Sequence, residues 1–103
     1  MILEHNRQIA EPEEIKVGGW YFRVIPTLRK SEFLCKVISI DDVKDQITLY
    51  SIPKKRVDCK SPNWISVGSL TKVMSGVKPL YTLTEEEVQM VRKFEQTNSL
   101  LTQ

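Results

Sequence analysis

The residues of this 103-residue chain best suited to chemistry are cations and aromatics. Lys54-Lys55-Arg56, with Lys60 four residues on, is the densest basic group; Tyr50 precedes it and Trp64 follows it. Cations on a loop neutralise phosphates and release their counterions, which gives affinity without sequence preference. Aromatic rings beside them can stack on unpaired bases. The same residues also suit a solvated loop tip next to a core Trp, so the elements that position them decide between the two.

The groups other chemistries need are missing or far apart. Cys35 and Cys59 form no C-x-x-C pair, and His5 is the sole His, so the roughly four ligands of a zinc site are not assembled. Two cysteines are also too few for a disulfide framework, and both are expected as reduced thiols. Cys35, among Phe33, Leu34 and Val37, reads as a small buried hydrophobe. Cys59 lies between Arg56 and Lys60, cations that can lower a thiol pKa, but its only base would be His5 in the terminal arm. Asp41, Asp42 and Asp45 lack the Gly and distal Glu of a calcium loop and read as a turn. No Ser is paired with a His base. Gly18-Gly19 lacks the Lys and Ser/Thr of a phosphate loop. We therefore expect no catalytic residues, no metal and no cofactor.

Charge is unevenly spread. Residues 1–14 carry four acidic residues against Arg7, a net −3. Residues 15–80 carry twelve basic residues against five acidic ones, a net +7. Residues 81–103 carry four acidic residues against Arg92 and Lys93, a net −2. The overall +2 thus conceals a basic centre between acidic flanks, which points to an anionic partner. A composition of 41% hydrophobic and 27% charged residues is that of a globular chain. No apolar run approaches ~18 residues, and Met1-Ile2-Leu3-Glu4-His5 lacks the start of a secretory signal. A single cytoplasmic domain with no membrane partner is expected.

The elements follow from periodicity. Residues 1–14 read as an N-terminal arm whose Ile2, Leu3 and Ile9 can dock elsewhere. In residues 15–80, Gly18-Gly19 opens a turn and Trp20 to Ile25 forms a first strand, with Trp20, Phe22 and Val24 on one face and Tyr21 and Arg23 on the other. Pro26 stops it. Residues 27–32 read as a polar loop. Phe33 to Ile40 and Gln46 to Ile52 form a hairpin about the Asp41–Asp45 turn. Residues 54–63 read as a long basic loop, Trp64 to Val67 as a fourth strand, Gly68-Ser69 as a break, and Leu70 to Met74 as a fifth strand. In residues 81–103, Thr84-Glu85-Glu86-Glu87 is a capping box. Leu83, Met90, Val91 and Phe94 share one stripe of a helix expected over Glu85 to Gln96, with a frayed tail beyond.

Val17-Gly18-Gly19-Trp20-Tyr21-Phe22-Arg23-Val24 resembles the opening strand of SH3-like small barrels. Lys36-Val37-Ile38-Ser39-Ile40-Asp41 with Gln46-Ile47-Thr48-Leu49 is similar to their central hairpin, and Trp64-Ile65 through Ser69-Leu70-Thr71-Lys72-Val73 to their closing strands. The resemblance, over about residues 15–74, implies a mainly β, five-stranded small barrel with an N-terminal arm and a C-terminal amphipathic helix. KOW and Tudor modules of this shape bind RNA, DNA or protein tails.

Two readings follow. The first is a non-enzymatic module that contacts nucleic acid, DNA or RNA, through Arg23, Lys36, Tyr50, Lys54, Lys55, Arg56, Lys60 and Trp64. The second is a protein-interaction adaptor or small regulator that places Met90, Val91 and Phe94, or a barrel edge, in a partner's groove. The sequence sets no oligomeric state.

Overall fold

The computed structural model describes residues 7–25, 31–54 and 64–102, with side chains given up to residue 96 in the last segment. Four antiparallel strands follow one another as a meander: β1 (Trp20–Ile25), β2 (Ser31–Asp41), β3 (Gln46–Pro53) and β4 (Trp64–Ser69), in the order β1-β2-β3-β4. Two helices follow, α1 (Leu70–Met74) and α2 (Glu85–Thr102), and a 3-10 turn at Pro12–Glu14 precedes the sheet. Among the described residues no helix is long and apolar enough to cross a membrane.

The local signals read from sequence form the expected turns. Gly18 adopts φ 91°, the left-handed conformation that glycine takes without a Cβ penalty. In the β2–β3 turn the Asp41 carboxylate accepts from the amides of Val43 and Lys44 at 3.0 and 3.1 Å, and Asp45 takes φ 55°. The capping box of α2 closes both ways: the Glu87 amide donates to Thr84 Oγ1 at 3.3 Å and the Thr84 amide to Glu87 Oε1 at 2.9 Å. The helix runs to Thr102, six residues past the expected end at Gln96.

The expected closed, five-stranded barrel is not what forms. The sheet is open, with four strands, and the fifth predicted strand is α1. Its apolar residues Leu70, Val73 and Met74 stand at i, i+3 and i+4, the spacing that gathers side chains on one side of a helix. Ser69, expected as part of a break, is the last residue of β4 and the N-cap of α1, its hydroxyl accepting from the Lys72 amide at 3.2 Å.

An open sheet has two faces, and both are covered. Tyr21, Val37, Ile47 and Leu49 on one face pack with Ala10, Ile15, Leu70, Val73 and Leu80. Tyr21 Oη donates to the Glu14 carbonyl and accepts from the Lys16 amide, which ties the N-terminal segment to this face. On the other face Phe22, Leu34 and Ile52 pack with Val91, flanked by Trp20, Val24, Tyr50, Tyr81, Leu83, Met90 and Phe94. The period-two split of Trp20, Phe22 and Val24 from Tyr21 is therefore the split between two cores.

The β1 edge is closed from within the chain. The Phe22 and Tyr81 amides each donate to the other's carbonyl at 2.8 Å. Residues 8–10 then pair with the far side of that segment, through Ala10 N–H to the Leu80 carbonyl at 2.8 Å and Thr82 N–H to the Gln8 carbonyl at 2.9 Å. The arm read over residues 1–14 is thus, at residues 8–10, bridged to the segment that closes the β1 edge.

Candidate anion-binding cleft

One cleft on the Tyr21 face is lined by cations from four separate segments. It encloses about 500 Å³ between the β2–β3 turn, β4, α1 and the segment after α1, and Arg23, Lys44, Lys72 and Lys78 line it. Ser66, Gly68 and Ser69 supply the β4 wall, and Ile47, Leu49, Val73 and Leu80 form its apolar base. Among the described residues, Lys44, Lys72 and Lys78 form no ion pair.

Asp45 is the only carboxylate of the lining, and its oxygens are already engaged. The Thr71 hydroxyl donates to Oδ1 at 2.6 Å, the Ser69 hydroxyl to Oδ2 at 2.8 Å and the Thr71 amide to Oδ1 at 2.8 Å. Those bonds, the Thr71 hydroxyl foremost, hold the Asp45 carboxyl below its usual value. Asp45 is therefore a structural anion that fixes the start of α1, and four cations share the cleft with it. Two of the cations, Lys72 and Lys78, are placed by α1 and the segment it leads into. The helical form of residues 70–74 is thus what builds one wall.

The residues singled out by sequence fare differently. Arg23 lines the cleft. Lys36 lies away from it, with Nζ 3.6 Å from Glu95 Oε2 of α2. Tyr50 is half-buried against Trp20 and Phe94, with ring centroids 6.4 and 6.3 Å away, and burial pushes its hydroxyl pKa up. Lys54 is held by Glu87, Nζ to Oε2 2.7 Å. Lys55, Arg56 and Lys60 lie outside the described residues, as does the side chain of Trp64, whose backbone starts β4. The structure thus disperses the described members of that set. The cleft cations Lys44, Lys72 and Lys78 belong to the +7 zone but lie too far apart along the chain to form a local cluster.

Met90, Val91 and Phe94 pack on the chain's own sheet, where Phe94 meets Trp20 edge-on at 5.7 Å. Trp20 Nε1 donates to Glu95 Oε2 at 2.9 Å, fastening the same helix. The stripe assigned to a partner's groove is the cover of the second core.

A second charged cluster is structural. Glu87 has no solvent exposure; the Arg7 guanidinium donates to Oε1, and Lys54 sits at Oε2. The Arg7 guanidinium carbon also sits over the Phe22 ring, 3.7 Å from its centroid. Burial raises the Glu87 pKa, but the bonds from Arg7, Lys54 and the Thr84 amide and the Arg7 charge outweigh it, leaving the carboxyl below its ordinary value. Cys35 is fully buried; burial pushes its thiol pKa up, against a bond with the Ser51 hydroxyl at 3.3 Å and the nearby Arg23 charge. That environment opposes a thiolate nucleophile. No group of three or more metal-ligating side chains occurs among the described residues. No protein-family model, no curated protein and no solved structure matches the chain.

Proposed function

We propose that the protein is a cytoplasmic, non-catalytic module that binds nucleic acid through the Arg23–Lys44–Lys72–Lys78 cleft. One observation carries the reading: four cations converge on a cleft whose single carboxylate is already engaged by Ser69 and Thr71. Clustering like charges costs repulsion unless an anion offsets it. A chain of phosphates spaced along a strand matches cations spaced along a cleft better than one small anion does. The resemblance to KOW and Tudor modules enters this proposal only through the β1–β2–β3 meander, since the sheet is open and has four strands.

The test is fluorescence anisotropy with labelled oligonucleotides at about 50 and 200 mM salt. Four neutralised phosphates on a single strand give a salt slope near −2.8, a loss of roughly 50-fold over that range. Lys44→Ala/Lys72→Ala/Lys78→Ala should weaken binding at least roughly tenfold and flatten the slope towards that of one contact. Lys16→Ala/Arg92→Ala, at exposed positions outside the cleft, should retain affinity much closer to that of the unaltered chain. Equal affinity of the triple variant and the unaltered chain removes the cleft as the site.

A further inference from the structure

β4 contains a glycine where a strand gains from a side chain. Gly68 pairs with Ile47, so a Cβ at 68 would project on the Ile47 face, the face of the cleft. Built there, that Cβ meets no atom within 4 Å. Its φ lies outside the left-handed region, so the backbone does not require glycine. Gly inside a strand weakens it, and one use of the position is close approach by a ligand. Gly68 thus leaves open the part of the cleft bordered by Ser66 and Ser69.

The dimensions limit what can enter. A recess of about 500 Å³ has no room to enclose a duplex, whose major groove alone spans ~12 Å. The cations come from β1, the β2–β3 turn, α1 and the segment after it, and together they line one recess. The lining contains no aromatic residue, so the contacts on offer are the cations and the Ser66 hydroxyl, which suit phosphate and sugar and not base planes.

We infer that the cleft takes one unpaired nucleic-acid strand by its phosphodiester backbone, passing over Gly68, with little preference for base sequence. The inference rests on the proposed function and narrows it. Ser66 and Ser69 border the gap on the β4 side, while Lys44 and Lys72 flank the path from the β2–β3 turn and α1.

The experiment compares a labelled 20-nucleotide dT strand with a labelled 20-base-pair duplex, using the full chain and Gly68→Leu. The unaltered chain should bind the single strand at least tenfold more tightly than the duplex. A labelled single strand of mixed sequence should bind within about threefold of dT. Gly68→Leu should lose at least tenfold in single-strand affinity while its thermal unfolding midpoint matches or exceeds that of the unaltered chain. If Gly68→Leu unfolds early, Gly68→Ala, which adds only the open-space Cβ, keeps the test: it should fold and lose a smaller, measurable part of the affinity. Duplex binding as tight as single-strand binding overturns the inference and leaves the nucleic-acid reading standing. A folded Gly68→Leu that binds as before overturns the path over Gly68. No binding of either oligonucleotide at about 50 mM salt overturns both.

Discussion

A carboxylate shut off from water stays ionised only where cations meet it, and Glu87 meets two. It also closes the capping box, so one side chain joins the N-terminal segment, the end of β3 and the start of α2. Glu87→Gln keeps the shape and strands two cations, so we expect a loss of about 3–5 kcal/mol in chemical denaturation, the cost of breaking a buried pair. The pH dependence has a definite sign. The folded-state pKa is depressed, so the contribution is present above the ordinary value near 4.5 and is lost as pH falls through the folded value. Stability measured by urea titration should therefore fall from about pH 4.5 downward, and less steeply in Glu87→Gln. An equal slope in both would assign acid sensitivity to other groups. The capping box was legible in Thr84-Glu85-Glu86-Glu87. The two cations were not, because Arg7 and Lys54 reach Glu87 only after the sheet forms.

At the scale of elements, what could be read depended on how local the deciding signal was. The Trp20–Ile25 alternation, the Asp41–Asp45 turn and the Leu83–Phe94 stripe are settled by neighbours a few residues away, and each forms as its pattern implies. Leu70–Met74 is different. Five residues with Thr71 and Val73 among them fit a short strand by propensity. The outcome is decided by the Ser69 cap and by Asp45, a residue 24 positions earlier that accepts from both Ser69 and Thr71. Removing that cap tests the account. Ser69→Ala takes away the acceptor for the Lys72 amide and a donor to Asp45, and should cost about 1 kcal/mol. Amide exchange should quicken at Lys72 and Ser75 before it changes within β2 and β3. Unchanged exchange in α1 would mean that Leu70 and Val73 packing alone holds the helix.

The whole molecule differs from the expected barrel because closure is a property of the sheet's edges, and no single strand's sequence records it. A barrel has one interior, whereas this open sheet builds two cores. The N-terminal segment and α1 cover one face, and α2 covers the other. The candidate site was only partly legible for the same reason. Density along the chain drew attention to residues 54–60. The cleft gathers Arg23, Lys44, Lys72 and Lys78, which no window of sequence shows together. The charge zones did foreshadow one relation, since two acidic residues of the last zone, Glu87 and Glu95, pair with Lys54 and Lys36 of the basic centre.

The layering at the β1 edge imposes an order of assembly. In backbone hydrogen bonding, residues 8–10 pair with residues 80–82, and residues 80–82 pair with the sheet at Phe22 of β1. The outer layer has nothing to pair with until the inner one has docked, and the inner one joins the two ends of a loop of about 60 residues. Loop closure of that length is slow beside formation of the β2–β3 hairpin. In pulse-labelling during refolding, the amides of β2 and β3 should therefore gain protection first, the Phe22 and Tyr81 amides next, and the Ala10 amide last. In the native protein the Ala10 amide should exchange while that of Phe22 is still protected, so the chain unravels from this edge inward.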